Sequence, residues 1–310
     1  MRAIFMGTPD FAVPALEALV EGGHEVAAVI TQPDKPKGRS GALQYPPVKE
    51  KALSYGLPVY QPVKVKDAGF LELLESLKPD VIVVAAYGRI LPKTILDLPA
   101  YGCINVHASL LPKYRGAAPI QQAILDGETQ TGVTTMYMAE GIDTGDILLQ
   151  TVIPIAKNET GGSLFNKLSK AGGPLLLETL KGLEEGTVKR TPQTGEVSHT
   201  GMLSKASGQI DWNRPAVELE RMVRGLNPWP SAYTYLNGKT LKIWEAAVIE
   251  GGCEGRPGEI TGTSFTGILI QTGQGILEVR QLQLEGKKRM DALAFLRGHQ
   301  LPIHTVLERV

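Results

Sequence analysis

The stretch Asp80-Val81-Ile82-Val83-Val84-Ala85-Ala86 decides the fold of the first half of this chain. After Asp80, every residue is apolar, and the run holds the densest group of β-branched side chains in the sequence. A strand without polar alternation is buried on both faces, which is typical of parallel sheets covered by helices. The stretch therefore predicts a central strand of such a sheet.

Shorter apolar runs alternate with helical patterns on both sides of this stretch. We expect further strands at Ala3–Met6, Val26–Ile30, Ile104–His107, Val133–Met138 and Ile147–Ile155. Helices are expected at Ala12–Val20, Phe70–Leu77, Pro119–Leu125 and Ser163–Leu183. This alternation predicts an α/β fold, with a Rossmann-like, doubly wound and mostly parallel sheet. Ligands of such sheets bind beyond the carboxyl ends of the strands.

The pattern changes after residue 189. Residues 190–207 are polar and contain Pro and Gly, which is typical of a linker between domains. A helix is expected at Leu219–Arg224, followed by strands at Ala232–Leu236, Leu241–Val248, Gly258–Thr263, Gly267–Gln271 and Ile276–Leu284. Several short strands in about a hundred residues predict a small OB-like β-barrel. The expected domains are therefore residues 1–189 and residues 208–310.

Composition excludes several classes of protein. The 310 residues carry 32 basic and 32 acidic side chains, so any contact with nucleic acid must come from a local basic patch. The two cysteines, Cys103 and Cys253, lack the spacing of a disulfide framework or a cysteine zinc site. No apolar run approaches the ~20 residues of a membrane span. We therefore expect a cytoplasmic protein without a metal.

The turn after the first strand, Gly7-Thr8-Pro9-Asp10, lies where a dinucleotide-binding fold has its phosphate loop. The G-x-G-x-x-G spacing is missing, and Pro9 removes a backbone N–H that such a loop needs. A tight strand-to-helix turn is the favoured interpretation. The sequence thus argues against a nicotinamide cofactor and an oxidoreductase.

Asn105 and His107 lie at the end of a predicted strand. Residues i and i+2 of a strand point to the same face, so these two side chains project together. Two donors at a strand's carboxyl end could stabilise a developing oxyanion. The alternative for His107 is a structural histidine. The irregular segment that follows, with its Pro, Gly and polar residues, favours a site, because sites are often built on such loops.

Asp143 lies in the turn Gly141-Ile142-Asp143-Thr144-Gly145-Asp146. One interpretation is an Asx turn, in which the carboxylate caps its own backbone. The other places the carboxylate beside His107, where it would fix the tautomer and favour the charged ring.

Asn105, His107, Ser109-Leu110-Leu111-Pro112 and Asp143-Thr144-Gly145 together resemble the signature of the 10-formyltetrahydrofolate-dependent formyltransferases. The resemblance implies that Asn105, His107 and Asp143 are catalytic and that 10-formyltetrahydrofolate is the formyl donor. It also implies a folate site formed by Tyr87, Gly88, Arg89, Ile90, Leu91, Ser109, Leu110, Leu111, Pro112, Gly141 and Ile142.

The second half resembles the members of this family that formylate methionyl initiator tRNA. The segments that carry this likeness are Arg224–Ser231 and Gly286–Met290, together with Gly7–Phe11 near the N-terminus. The resemblance implies that the loop Asp34–Arg39 reaches the acceptor end of the tRNA and that Arg39 is its key basic residue. Further candidate tRNA contacts are Lys35, Lys37, Lys205, Arg224 and Lys287. We expect a monomer. After Arg39 the sequence departs from the basic pattern of the family. For each cation, ordinary surface charge is the alternative interpretation.

Two further functions stay open at this level. The acceptor could instead be an amino sugar nucleotide, or the chain could be a catalytically silent tRNA-binding protein. The three tryptophans, Trp212, Trp229 and Trp244, could stack on unpaired bases. A Trp beside Pro and apolar residues is more often a core anchor, and we expect this for all three.

Overall fold

The computed structural model describes residues 1–37, 42–251 and 255–308. Arg39 and Cys253 lie outside the described residues. The chain forms two compact units. The first contains Met1–Pro119, Gln130–Pro154 and Phe165–Thr200, and the second contains Ile120–Thr129, Ile155–Leu164 and Gly201–Val310. Residues 190–200 of the predicted linker thus belong to the first unit.

A seven-stranded sheet forms the centre of the first unit. The strands of this unit are β1 (Arg2–Gly7), β2 (Glu25–Ile30), β3 (Lys35–Lys37), β4 (Ala42–Gln44), β5 (Val59–Tyr60), β6 (Val81–Ala85), β7 (Cys103–His107), β8 (Arg115–Gly116), β9 (Gln130–Tyr137), β10 (Ile147–Pro154) and β11 (His199–Thr200). The order in the sheet is β10-β9-β7-β6-β1-β2-β5. Strands β3 and β4 form a separate hairpin, and β8 pairs with β11.

The predicted mostly parallel sheet is confirmed. Strands β5, β2, β1, β6 and β7 are mutually parallel, whereas β9 is antiparallel to β7 and β10 is antiparallel to β9. The connection between β9 and β10 is too short for a crossover, which explains why β10 is antiparallel to β9. All five residues of β6 are buried, as its apolar sequence predicts.

Helices connect these strands. They are α1 (Val13–Glu21), α2 (Pro47–Ser54), α3 (Ala68–Ser76), α4 (Lys93–Leu96), α5 (Pro119–Leu125) and α6 (Gly161–Glu184), with a 3₁₀ turn at Asp10–Ala12. The sequence patterns predict α1, α3, α5 and α6 but not α2 or α4. Helix α2 buries only Val48 and Ala52, so it has too little apolar periodicity to be recognised.

The second unit is built around an antiparallel sheet of order β12-β13-β16-β15-β14, with β17 beside β16. Its elements are α7 (Ala216–Gly225), β12 (Ala232–Leu236), β13 (Lys239–Ile249), β14 (Ile260–Thr263), β15 (Ile268–Gln271), β16 (Ile276–Leu284), β17 (Met290–Asp291) and α8 (Ala292–Gly298), after a 3₁₀ turn at Lys205–Gly208. Residues 305–308 connect the two edges. The N–H of Ile260 donates to Thr305 O at 2.8 Å, and the N–H of Glu308 donates to Tyr235 O at 3.0 Å.

Each unit has its own hydrophobic core. In the first, side chains of β1 and β6 such as Ile4 and Ile82 are fully buried. In the second, Trp212 and Phe295 are buried among side chains of the sheet. The core prediction is thus confirmed for Trp212. It is wrong for Trp229, whose side chain is 54% exposed. Over the described ranges, no helix combines the length and apolarity needed to cross a membrane.

Candidate active site

The centre of the sheet contains a topological switch. From β1, the chain adds β2 and β5 on one side and then β6 and β7 on the other. In open α/β sheets, ligands bind where the connections diverge in this way, beyond the carboxyl ends of the strands. The segment after β6 lies at that edge and is held by hydrogen bonds. Gln32 Nε2 donates to Tyr87 O at 2.9 Å, and Thr8 Oγ1 donates to the same carbonyl at 3.4 Å.

Sequence reasoning did not include Gln32 or Thr8 among the site residues. Both follow parallel strands that end at this edge, Thr8 after β1 and Gln32 after β2. Their position directly after adjacent strands is the signal that could have identified them. They fix the start of the predicted folate segment.

The predicted folate segment Tyr87–Leu91 is anchored at its two ends. Tyr87 and Leu91 are each 2% exposed. Burial raises the pKa of the Tyr87 phenol to about 12, so this side chain is a neutral part of the core. Between the anchors, Arg89 and Ile90 are exposed. The segment therefore offers backbone and one exposed aliphatic side chain at the switch point.

The second predicted folate segment, Gly141-Ile142, is also exposed, and the Ile142 side chain is 60% accessible. Exposed aliphatic side chains that belong to loops at a site can cover the apolar parts of a ligand. This pattern suits an aromatic ring system such as a pterin, which needs both apolar cover and backbone hydrogen bonds.

Asn105 and His107 lie on β7 as predicted, with His107 at its end. The imidazole is 6% exposed, and its Nε2 lies 2.9 Å from the backbone oxygen of Tyr114. A carbonyl oxygen can only accept, so Nε2 carries the hydrogen of this bond. Tyr114 thus fixes the orientation of the ring.

Asp143 completes the cluster. Its Oδ1 accepts a hydrogen bond from Asn105 Nδ2 at 3.4 Å, and its Oδ2 accepts one from the N–H of Gly116 at 2.8 Å. The same Oδ2 lies 3.7 Å from Nδ1 of His107. The structure therefore brings the three predicted catalytic side chains together, and the carboxylate bonds to Gly116 from a distant part of the chain.

Both ring nitrogens of His107 thus face oxygen atoms, Nε2 facing Tyr114 O and Nδ1 facing the Asp143 carboxylate. A ring that donates from both nitrogens carries a hydrogen on each of them. The 3.7 Å separation on the Nδ1 side is longer than a hydrogen bond. Nδ1 is therefore the atom of His107 that can donate to a bound group.

The predicted segment Ser109–Pro112 packs inward. Ser109 Oγ donates to Lys113 O at 2.6 Å, and Thr134 Oγ1 donates to Ser109 O at 2.6 Å. Gln150 Nε2 donates to Leu111 O at 3.0 Å. Ser109 and Leu111 are buried, whereas Leu110 and Pro112 are half-buried. These bonds hold the segment in its path beside His107.

A short parallel pair supports the segment from the other side. Strand β11 pairs with β8, and Ser198 Oγ accepts a hydrogen bond from the N–H of Tyr114 at 2.8 Å. Gly116 has φ +112°, and a Cβ there would lie 2.3 Å from Thr200 O. Glycine is required at this position because any side chain would separate β8 from β11 and move the N–H that binds Asp143.

The side chain of Gln193 forms hydrogen bonds with the turn that contains Asp143 and with Arg115. Its Nε2 donates to Asp143 O and to Gly145 O, each at 2.8 Å. Its Oε1 accepts from Arg115, from Nε at 3.0 Å and from Nη2 at 2.8 Å. Asp143 has φ +51°, a left-handed conformation that a non-glycine residue keeps only when its surroundings hold it. Gln193 supplies that support from a segment that the sequence predicts to be a linker.

Gln193→Glu tests this positioning role. The variant keeps the size and the acceptor for Arg115 but turns a carboxylate oxygen toward the two carbonyls, so Asp143 should shift. We expect kcat to fall by about tenfold, which corresponds to ~1.4 kcal/mol of barrier. The KM for each substrate should stay near the wild-type value. Glu196→Gln, an exposed change in the same segment, is the control. Equal losses in the two variants, or a loss confined to KM, would contradict the assignment.

The thiol of Cys103 lies on β7 with Asn105 and His107 but takes no part in this chemistry. Burial raises the pKa of the Cys103 thiol to about 12, so it is no nucleophile. Within the described part of the chain, no group of three His, Cys, Asp or Glu side chains is arranged to hold a metal ion.

The predicted tRNA-contacting residues occupy varied environments. Lys35, Lys205 and Lys287 are exposed, and Lys37 lies on β3. Arg224 is largely buried: its Nη1 donates to Glu159 O at 2.9 Å, and its Nε forms an ion pair with Glu220 at 2.5 Å. This guanidinium is committed to contacts within the second unit.

The base of the β3–β4 hairpin is fixed by charged side chains. Lys49 Nζ lies 2.7 Å from Asp34 Oδ2 and 2.8 Å from Gln61 Oε1. Gln61 Nε2 also donates to Asp34 Oδ1 at 2.8 Å. The hydrogen bond from Lys49 lowers the pKa of Asp34. The β3–β4 hairpin thus starts from a fixed point.

Comparison with known proteins agrees with this geometry. The family described as "Formyl transferase" matches residues 1–180, and "Formyl transferase, C-terminal domain" matches residues 202–300. The chain belongs to the formyl transferase family. Its relatives include a protein named "Methionyl-tRNA formyltransferase" from Agathobacter rectalis, 58% identical over 299 residues that cover 96% of each chain. A protein of the same name from Lachnospira eligens is 53% identical over 99% of both chains.

Among solved structures, an N-formyltransferase from Helicobacter canadensis, in complex with folinic acid and dTDP-3-aminofucose, has a TM-score of 0.66. The match spans 93% of this chain and 99% of the solved chain, at 19% sequence identity. At that identity, the likeness establishes a shared fold only. The fold of a formyl transferase, with its mostly parallel sheet, therefore agrees with the architecture described above.

Proposed function

We propose that this protein transfers the formyl group of 10-formyltetrahydrofolate to the α-amino group of methionyl initiator tRNA. The observation that carries the proposal is the meeting of Asn105, His107 and Asp143 at the carboxyl edge of the sheet. Membership of the formyl transferase family supplies the reaction class. Relatives named for methionyl-tRNA, alike over nearly the whole chain, supply the acceptor.

The catalytic cluster suits attack on a small carbonyl. The free amine of the acceptor attacks the formyl carbon, and the carbonyl oxygen becomes negative in the tetrahedral intermediate. His107 Nδ1 and Asn105 Nδ2 donate hydrogen bonds to that oxygen. One such donor typically lowers the barrier by about 2.7–4 kcal/mol. The bond from His107 Nε2 to Tyr114 O leaves Nδ1 aimed at the space that it shares with Asp143.

Asp143 takes part in transfer of the amine proton. The attacking nitrogen gains a positive charge as the new C–N bond forms, and it must lose one proton. The carboxylate takes part in moving that proton to N10 of the folate, directly or through water. The C–N10 bond then breaks and tetrahydrofolate leaves as a neutral amine.

The folate occupies the switch point in this proposal. Backbone of Tyr87–Leu91 and of the turn at Gly141 clasps the pterin, while the exposed side chains of Ile90 and Ile142 cover it. The segment from Ser109 to Pro112 lines the same site. The buried anchors at Tyr87 and Leu91 support this role because they keep the segment's backbone in place.

The acceptor tRNA is bound by cations from two regions. Arg39, with Lys35 and Lys37, contacts the acceptor end, and Lys205 and Lys287 contact the tRNA from the second unit. Arg224 is the least available cation of the predicted set because Glu220 and Glu159 already bind it. We propose that residues 1–189 perform catalysis and that residues 208–310 bind tRNA, joined by 190–207.

The proposed tRNA-binding domain is an OB-like barrel. The hydrogen bonds of residues 305–308 to both β12 and the start of β14 support this, since they join the two edges of the sheet. We further propose that the protein acts as a monomer in the cytoplasm.

The proposal is tested by offering labelled 10-formyltetrahydrofolate with three acceptors: methionyl initiator tRNA, methionyl elongator tRNA and a dTDP-amino sugar. We expect rapid labelling of the initiator tRNA and much slower labelling of the elongator. Labelling of the amino sugar alone would show that the acceptor is an amino sugar nucleotide and not methionyl-tRNA. Binding of tRNA with no labelling of any acceptor would favour a silent tRNA-binding protein.

A further inference from the structure

The outer face of β13, β16 and β17 carries a tryptophan that is not part of the core. Trp244 is half-buried on this face, and its Nε1 donates to Gln283 Oε1 at 3.2 Å. The core prediction for this residue is therefore wrong. The reason is that β13 alternates, with Leu241 and Ile243 facing inward and Trp244 facing outward. The hydrogen bond fixes the plane of an indole ring that faces solvent.

Two cations lie over this ring. Lys242 Nζ is 5.6 Å from the ring centroid of Trp244, and Arg289 Cζ is 5.2 Å from it. Arg289 Nε also donates to Gln281 Oε1 at 2.8 Å. A cation within about 6 Å of an indole is attracted by the ring. The ring thus holds two flexible side chains in defined positions without neutralising their charge.

Neither cation has an acidic partner. Among the residues that the structure describes, no carboxylate forms an ion pair with Lys242 or Arg289. The arginines Arg214, Arg224 and Arg280 of the same unit are each paired with a carboxylate of Glu218, Glu220 or Glu278. The cations around Trp244 therefore keep an unneutralised positive charge that the paired arginines do not have.

The neighbouring turn adds to the same charge. Lys287 and Lys288 are exposed, and Gln283 Nε2 donates to Lys287 O at 2.9 Å, which fixes the turn. The acidic groups nearby are Glu245, Glu285 and Asp291, all exposed. Glu285 Oε2 accepts a hydrogen bond from the N–H of Thr240 at 3.1 Å, so this carboxylate is held against the backbone.

A shallow cleft of about 290 Å³ lies beside this group, lined by Thr240, Lys242, Gln283, Leu284, Glu285 and Gly286. Lys242 is the cation of this lining. The cleft gives an approaching anionic group access to the Lys242 ammonium. Unlike at the carboxylate-paired arginines, this group does not have to displace an ion-pair partner. The side-chain amide of Gln283 offers a further polar contact there.

We propose that Lys242, Trp244 and Arg289, which we call the Trp244 surface, form a binding site for the sugar–phosphate backbone of tRNA. The inference rests on the proposed function for the choice of tRNA as the polyanion. Phosphate is the partner that fits because the surface offers fixed, unpaired cations with amides between them. The amides of Gln281 and Gln283 can bind ribose or phosphate oxygens. No base needs to be read at this surface.

The test measures binding of unacylated tRNA directly, over a series of salt concentrations, so that it does not depend on formylation. The double variant Lys242→Gln/Arg289→Gln is compared with Arg214→Gln/Arg297→Gln. The control removes two exposed positive charges of the same unit that are not the cations over the Trp244 ring. We expect the first variant to bind tRNA about tenfold more weakly, with a salt dependence reduced by about one to two phosphate contacts. The control should change binding by less than about twofold.

Equal weakening in both double variants would overturn the proposal, since it would show a general effect of charge. Unchanged binding in the first variant would also overturn it. Trp244→Leu keeps both cations and removes the ring that positions them, so binding should weaken by about threefold. Unchanged binding in this variant would remove the tryptophan from the site.

Formylation assays on the same proteins separate this inference from the proposed function. Suppose that the wild-type protein binds tRNA but formylates no methionyl-tRNA, and that the first double variant binds tRNA more weakly. The proposed activity then fails and the Trp244 surface stands. If formylation proceeds and the variant binds tRNA normally, the surface fails and the activity stands. In Lys242→Gln/Arg289→Gln, kcat at saturating tRNA and KM for folate should match those of the wild-type protein.

Discussion

Replacement of His107 by Ala is expected to lower kcat by about 10²–10³-fold, the loss that follows from removing one oxyanion donor. Nδ1 of this ring is the donor that faces the space beside Asp143, and Tyr114 O holds the ring through Nε2. No neighbouring side chain can replace it, because Asn105 is already a separate donor in the cluster. Steady-state kinetics with saturating folate and methionyl-tRNA measure the effect.

The alanine variant also leaves a buried carbonyl of Tyr114 without its donor, which costs about 1–3 kcal/mol of stability. Thermal unfolding must therefore be recorded beside activity. His107→Gln provides a second test because it restores a donor but no positive charge, so it should be folded and still slow. His199→Gln, an exposed histidine on β11, is the control and should keep wild-type kcat. Near wild-type turnover in His107→Gln would remove the charged imidazole from the proposed mechanism.

Local patterns predict the part of the site that lies on the sheet. The apolar run of β6 predicts the central strand, and the alternation of β7 predicts that Asn105 and His107 share a face. Both features depend only on the two-residue period of a strand and on burial. This is why the boundaries of β6 and β7 in the structure agree with those expected from sequence to within one residue.

Residues that act through long-range side-chain bonds leave no such pattern. Gln193 contacts Asp143 and Arg115, which are 50 and 78 positions away in the chain. It lies in a polar segment with Pro and Gly, which sequence reasoning interprets as a linker. Its importance depends on the left-handed turn at Asp143, and that conformation is not encoded by periodicity. Gln32 and Thr8 are similar cases at the switch point.

The exposure of side chains in the second unit could not be predicted from sequence either, for a physical reason. Trp212 lies in a turn before α7 and is buried in the core, whereas Trp244 lies on β13 and faces outward. In a domain of short antiparallel strands, a shift of one residue in register exchanges the two faces. The register of β13, which turns Trp244 outward, is set by its pairing with β12 and β16.

Asp143→Asn is expected to lower kcat by about 10²–10⁴-fold, the usual range for a group that moves a proton in the transition state. The substitution keeps the shape of the side chain and removes its charge. The amide has one acceptor oxygen for two donors, Gly116 N–H and Asn105 Nδ2, so at least one of these bonds is lost. His107 Nδ1 then no longer faces a negative charge.

The neighbouring Asp146→Asn is a matched control, since Asp146 lies in the same turn and its carboxylate forms an ion pair with the exposed Arg190 at 3.1 Å. Exposed pairs contribute little, so this variant should keep kcat within about twofold of wild type. The two variants separate loss of charge at the reacting centre from loss of charge in the turn. Equal activity of Asp143→Asn and Asp146→Asn would show that the carboxylate beside His107 does not act in the proton transfer.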